Sequence, residues 1–274
     1  MNYETAGRVT LPKIGFGTWK IGGESSPDRA RDAWSLAALR SALELGYTHF
    51  DTAEMYAAGH AEELLGRVVR ESKIERDALF ITSKVTPSNL QYDRVLRSCE
   101  ASLRRLGMDY LDLYLIHWPG AGMRLEETFR ALNKLVRDGK VHHLGVSNFD
   151  LKLLKQAQAL SETPILTDQV PYSLSDRSYV KNGVLAYCQQ SNTPCVFTAY
   201  SPVEEGNLKV TAVLQAVAKT HQATPYQIAL AWVAAQPRVI TIPMSANPKH
   251  QAENLAAAEI ALSSAEMEQL NQSG

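Results

Sequence analysis

Short runs of β-branched and aromatic residues alternate along this chain with longer stretches whose apolar positions recur every three or four residues. The first pattern fits a buried strand and the second an amphipathic helix, so their repetition predicts β-α units around a parallel sheet. A hairpin is predicted over Asn2–Thr5 and Arg8–Leu11, turning at Ala6-Gly7. Eight strands follow, at Ile14–Gly17, Tyr47–Phe50, Leu79–Ser83, Leu111–Ile116, His143–Val146, Ile165–Thr167, Cys195–Ala199 and Val239–Ile242. Leu96, Cys99, Leu103 and Leu106 give one apolar helix stripe, Phe129, Leu132, Leu135 and Val136 another, and Gly107 and Gly139 stand where such helices stop. Asn247-Pro248 and Ser263-Ser264 have the short polar and proline chemistry of helix starts, which places a last helix over about Ser264 to Gln272.

No Ser/Gly-rich linker, charge block or shift in composition divides the 274 residues. The expected architecture is therefore α/β, a single (β/α)8 TIM barrel over residues 1–274 with an N-terminal β-hairpin and a short C-terminal helix. An apolar content of 45% is enough for a full core, and a net charge of −1 supplies no basic field to attract nucleic acid or anionic lipid. The longest apolar run, Ile228 to Ala235, is far shorter than the ~18 residues of a membrane-spanning helix. With no basic, apolar leader at Met1-Asn2-Tyr3-Glu4, a cytoplasmic monomer is expected. Cys99, Cys188 and Cys195 form no C-x-x-C pair and read as small apolar residues.

In a barrel of this kind the chemistry collects at the C-terminal ends of the strands. The residues that follow the predicted strands are Asp51, Lys84, His117, Ser147-Asn148, Gln169, Tyr200-Ser201 and Ser245, about one β-α unit apart, so they converge on one rim. Other signatures fail. Gly15-Phe16-Gly17 lacks the third glycine of a dinucleotide fold, with Lys20 in its place, and no phosphate-binding loop or G-x-S-x-G elbow occurs. His60-Ala61-Glu62 has no second histidine one turn on, and His142-His143 alternate faces, so no metal site is expected.

Asp51, Tyr56, Lys84 and His117 make chemical sense together. Each type also has an ordinary structural role at such a position: capping, packing, solvation or backbone hydrogen bonding. As a group they suit carbonyl reduction, in which hydride at carbon leaves charge on oxygen that needs a proton donor and polarising hydrogen bonds. A tyrosine can give that proton, and an adjacent ammonium is expected to pull its pKa down from about 10. Asp51 can hold Lys84, and His117 can hydrogen-bond the carbonyl oxygen.

The segments Phe50-Asp51-Thr52-Ala53-Glu54-Met55-Tyr56, Ile81-Thr82-Ser83-Lys84, Leu115-Ile116-His117-Trp118-Pro119, Gly145-Val146-Ser147-Asn148-Phe149 and Ala199-Tyr200-Ser201-Pro202 resemble, in order, the signatures of the aldo-keto reductases. The resemblance extends over nearly the whole chain. It implies a barrel that binds a nicotinamide cofactor without a Rossmann fold, with Tyr56 as general acid, Lys84 and Asp51 as its tuners and His117 as the carbonyl-orienting donor. It further implies that Ser147, Asn148 and Gln169 hold the carboxamide and that Tyr200 stacks on the nicotinamide. Thr18 and Trp19 would lie beside the cofactor, with Asp51 near, and Ser201, Pro202 and Val203 along its phosphate bridge.

At the adenosine end, Met244, Ser245, His250, Glu253 and Asn254 resemble a family segment in which Met244 replaces a lysine and His250 an arginine. The resemblance implies NADPH as cofactor, and the loss of two permanent cations beside a 2'-phosphate predicts that NADH is also accepted. Glu204 to Val210 is a short cofactor-covering loop, expected to hold the cofactor less tightly, and Ala57-Ala58 stands where the family often has glycine. A mouth walled by Trp19, Tyr56, His117 and Trp118 would take varied aldehydes and ketones. Two other readings use the same barrel: a Schiff-base lyase with Lys84 as nucleophile, and a cofactor-binding partner protein without turnover.

Overall fold

In the computed structural model, which describes residues 2–190 and 194–273, the two edges of an eight-stranded parallel sheet meet. Met1 and Gly274, the ends of the expected domain, lie outside the described residues. β1 (Tyr3–Ala6) and β2 (Val9–Pro12) form an antiparallel hairpin. The sheet then runs β3 (Phe16–Gly17), β4 (His49–Asp51), β5 (Phe80–Val85), β6 (Leu111–Ile116), β7 (Val141–Ser147), β8 (Ile165–Pro171), β9 (Val196–Tyr200) and β10 (Val239–Thr241), each paired with the next. Closure comes from the chain just before β3: the Gly15 N–H donates to the Thr241 carbonyl at 2.8 Å and the Thr241 N–H to the Lys13 carbonyl at 2.8 Å. The expected barrel is present.

Helices Asp32–Glu44, His60–Glu71, Tyr92–Leu106, Leu125–Arg137 and Leu151–Leu160 follow β3 to β7. Two short helices follow β8, Ala212–Thr220 and Pro225–Ala235 follow β9, and Pro248–Ala257 and Ser264–Ser273 follow β10. Their apolar faces bury Leu39, Leu65, Leu103, Leu132 and Trp232 in one core with Phe50, Ile81, Tyr114, Ile116 and Phe197 of the strands. Asn247 caps its helix through Lys249 N–H, and Ser263 and Glu266 exchange the two bonds of a capping box. The hairpin closes the N-terminal end: Ala6 and Leu11 pack with Leu113, Leu115, Val196 and Ile240, while Lys13 Nζ donates to the Gln236 and Val239 carbonyls. All three cysteines are buried free thiols. No helix among the described residues is long and apolar enough to cross a membrane.

Two details differ from the sequence expectation. The hairpin turns one residue later, at Gly7-Arg8, because Ala6 pairs with Val9 and Gly7 supplies the positive φ of 62°. Asp51, Lys84, Ser147, Gln169 and Tyr200 lie within the ends of their strands rather than after them. Ladder pairs such as Asp51 with Thr82, Lys84 with Leu115 and Ser147 with Gln169 carry each strand past the polar side chain. These side chains are consequently held by regular sheet.

Helix His60–Glu71 crosses Tyr92–Leu106 at Gly66, where an added Cβ would lie 2.1 Å from the Leu106 carbonyl oxygen. Backbone cannot yield as a side-chain tip can. Gly66→Ala is expected to lower stability by about 2–3 kcal/mol, read as a reduced urea midpoint at unchanged m-value.

Candidate active site

Lys84 projects from β5 into the barrel and is fully buried. Its Nζ donates to Asp51 Oδ1, to the Thr52 carbonyl at 2.8 Å and to Tyr56 Oη at 3.2 Å. The other Asp51 oxygen accepts from Gln169 Nε2 at 2.8 Å, which ties β4 to β8 across the interior. His117 follows β6, with its ring centroid 5.5 Å from that of Tyr56 and stacked at 4.0 Å on Trp118. Trp19 meets the other side of Tyr56 at 5.1 Å. The four candidate catalytic residues are thus one contiguous group.

Burial and charge act in opposition here. Burial pushes the Tyr56 phenol above its ordinary value, against the lowering pull of Lys84. The expected net lowering is therefore corrected: desolvation of the phenolate outweighs one ammonium, and the phenol keeps its proton. Burial would lower the Lys84 ammonium, but Asp51 and Tyr56 together hold it above the usual lysine range. Burial, helped by Lys84, takes His117 down to about 2, so its imidazole is neutral.

Tyr56 sits in a 3-10 segment, Tyr56–Gly59, in which Ala57 and Ala58 adopt φ 48° and 52° and Gly59 φ 92°. The two alanines keep the left-handed turn that glycine would form freely, a strain of about 1–3 kcal/mol each. Asn148 also has positive φ, at 61°. Its Nδ2 donates to the His117 carbonyl at 3.2 Å and its Oδ1 accepts from Tyr200 Oη at 2.9 Å, while Ser147 Oγ donates to the Gln169 carbonyl at 2.6 Å.

A cleft of about 830 Å³ opens over this group. Thr18, Trp19, Asp51, Tyr56, His117 and Trp118 line one end. Ser147, Asn148, Gln169, Tyr200, Ser201, Pro202, Val203, Met244, Ser245, His250, Glu253 and Asn254 line the cleft too. Every expected cofactor and substrate residue borders the same space. Lys84 lies beneath it. Among the described residues no group of three or more His, Cys, Asp or Glu side chains is arranged to hold a metal ion.

Residues 13–274 match the aldo/keto reductase family. The chain belongs to that family. As a member it is an NAD(P)H-dependent oxidoreductase acting on carbonyl compounds. It is 39% identical over 272 residues to methylglyoxal reductase YeaE of Escherichia coli, covering 97% of this chain and 92% of that one. Glyoxal reductase of Bacillus subtilis is 34% identical, covering 96% and 89%. The thermostable aldo-keto reductase Tm1743, solved with the inhibitor epalrestat, superposes with a TM-score of 0.95 at 44% identity over 100% of both chains. An aldo-keto reductase from Klebsiella pneumoniae in complex with NADPH gives 0.87 at 37% identity, covering 99% and 95%.

Against this reductase fold, the cleft has residues that sequence reasoning missed. Lys20 Nζ reaches Glu205 Oε2 at 2.8 Å, joining the loop after β3 to the short loop after β9, and both residues line the cleft. Tyr226 Oη donates to the Gly206 carbonyl at 2.7 Å, and Ser173 Oγ to Glu204 Oε1 at 3.2 Å. The short covering loop is therefore tied on three sides. Only the acidic pair Glu204-Glu205 hinted at this, because its partners are 185 and 31 residues away in sequence.

The neutral, buried His117 gives the reductase a pH signature. An unfolded His117 binds a proton below about pH 6.5, whereas the folded one, held near 2, does not, so this group loses stability as pH falls. Buried Asp168 and Glu62, both raised by burial, act with the opposite sign, so a variant difference is the cleaner readout. His117→Gln is expected to remove about 1.4 kcal/mol per pH unit from the slope of unfolding free energy between pH ~6.5 and ~5, measured by urea titration.

Proposed function

We propose that this enzyme reduces small aldehydes and ketones to alcohols with NADPH, with Tyr56 as the general acid, acting as one catalytic barrel domain. The observation that carries the reading is the contact of the half-buried Tyr56 phenol with the Lys84 ammonium at 3.2 Å, Lys84 being paired in turn with Asp51. Burial keeps the proton on Tyr56 until an acceptor arrives, and Lys84 stabilises the phenolate that remains when the proton leaves for the substrate oxygen. Solvent then returns the proton. His117 is neutral and its Nδ1 is buried without a partner. An N–H at Nε2 leaves Nδ1 as a bare acceptor, cheaper to bury than an unpaired donor, and frees Nε2–H for the carbonyl oxygen.

Reduced nicotinamide, when bound, supplies the hydride for the carbonyl carbon. The residues present fit it. Gln169 spends an N–H on Asp51 and keeps its carbonyl oxygen for an amide donor, beside the Ser147 and Asn148 side chains. Tyr200 would offer a ring face, and Thr18, Trp19, Ser201, Pro202 and Val203, which line the same cleft, would contact the cofactor. Ser245, His250, Glu253 and Asn254, with Lys249, would hold the adenosine end, while Met244 packs partly into the core. Lys249 leans toward Glu253 at 3.7 Å, which reduces what it offers a 2'-phosphate and supports use of NADH as well.

Relatives named for methylglyoxal and glyoxal support 2-oxoaldehydes as substrates, and the half-exposed Trp118 and Met55 give the mouth apolar walls. The lyase alternative fares poorly. All three Lys84 N–H groups are engaged and its ammonium is favoured, so no lone pair is available for a carbonyl.

Tyr56→Phe is expected to leave NADPH affinity nearly unchanged and to lower methylglyoxal reduction at least ~100-fold. Near-normal turnover would remove Tyr56 as the acid, and negligible turnover by the unaltered protein would favour the non-catalytic reading. His250→Arg is expected to tighten NADPH by roughly 1–3 kcal/mol with little change for NADH, in fluorescence titrations at fixed salt. Equal effects on both would place residue 250 away from the 2'-phosphate.

A further inference from the structure

Two left-handed alanines in succession are strained, and the turn's own bonds, such as the Ala58 N–H to the Met55 carbonyl at 3.2 Å, are joined by contacts from other segments. The Ala57 N–H donates to the Glu24 carbonyl at 2.8 Å. The residue that ends the turn, His60, is 4% exposed, and each ring nitrogen meets a carboxylate: Nε2 with Asp32 Oδ1 at 2.7 Å and Nδ1 with Glu63 Oε2 at 2.8 Å. Carboxylates only accept, so both nitrogens donate and the ring is an imidazolium. A Cβ on Gly22 would lie 2.9 Å from His60 Cδ2, so the loop that bears Trp19 rests against the same ring. Of the other charges around the turn, Arg105, against Gly59, pairs with buried Glu62, and the Glu24 carboxylate is exposed.

We propose that the His60 imidazolium, clamped between Asp32 and Glu63, is a positioning residue that holds the strained Ala57-Ala58-Gly59 turn and thereby sets the Tyr56 phenol over the cleft. The inference rests on the reading of Tyr56 as the general acid. His60 belongs to no motif of the reaction and touches neither Lys84 nor His117. Its effect passes through the backbone: without the charged clamp the turn relaxes toward ordinary φ and swings the phenol away.

The clamp is charged and therefore depends on pH. Burial lowers the His60 pKa, but Glu63 and Asp32 outweigh it and hold it above the ordinary 6.5. The clamp is complete below the unfolded value of about 6.5 and is lost as pH rises through the higher folded value. Turnover then falls on an alkaline limb that precedes titration of Tyr56, whose own value stands above 10.

The test compares kcat and KM for methylglyoxal over pH ~6 to ~10, with NADPH affinity by fluorescence, in wild type, His60→Gln, Asp32→Asn and Ala57→Gly/His60→Gln. His60→Gln is expected to lose about tenfold in kcat at pH ~6.5 with NADPH affinity within about twofold, and to lack the lower alkaline limb. Asp32→Asn is expected to move that limb down by about one pH unit. Ala57→Gly is expected to restore most of the kcat lost in His60→Gln, because glycine keeps the left-handed turn without strain. A wild-type kcat and pH profile in His60→Gln, or no recovery with Ala57→Gly, overturns the clamp. If His60→Gln does not fold, the limb in Asp32→Asn decides alone: a shift supports the clamp and an unmoved limb overturns it. Tyr56→Phe separates the two levels. If it stays active the assignment of the acid fails, and if it is inactive while His60→Gln is unaffected only the clamp fails.

Discussion

An ammonium sealed inside a protein must be matched by charge and hydrogen bonds, and Lys84 imposes that requirement on the centre of this barrel. Removing such a cation from water costs several kcal/mol even after relaxation, so its partners cannot be approximate. Asp51 neutralises it, the Thr52 carbonyl takes a second N–H, and Tyr56 takes the third. Gln169 then fixes the free side of Asp51 from across the barrel. Three strand ends and the turn at Tyr56 are positioned by one demand for charge compensation, and the catalytic geometry comes with it.

The same burial sets the chemistry. Desolvation keeps a proton on Tyr56 and keeps His117 neutral, and the buried Lys84 stands beside the phenol oxygen. An acid that holds its proton at rest, beside a cation that stabilises its conjugate base, is suited to delivering that proton only when negative charge develops on a nearby oxygen. Lowering the resting pKa would work against that, because a phenolate has nothing to give.

Strain and closure are handled outside the barrel. The turn at Ala57 and Ala58 and the loop Ser201–Gly206, where Ser201, Glu204 and Glu205 all have positive φ, store conformational cost beside the cleft. Each is held by polar contacts from other segments: Glu24, Asp32 and Glu63 for the first, Lys20, Ser173 and Tyr226 for the second. The covering loop is short, yet its anchors come from three elements, so length alone understates its hold on the cleft.

The eight strands, the helix stripes and the order of polar residues at the rim are local properties of the chain, and periodicity and residue type were enough to determine them. Five segments also carried the resemblance to the reductases, down to the four residues Asp51, Tyr56, Lys84 and His117. Several strand ends were misjudged, by one to four residues, because a polar side chain looks like a boundary, whereas pairing with the neighbouring strand decides where a strand stops. The direction of the Tyr56 shift, the left-handed alanines, the Lys20–Glu205 bridge and the doubly bound His60 were not legible. Each depends on how much water is excluded and on which distant residue arrives at a given atom, and those are decided only when the chain closes on itself.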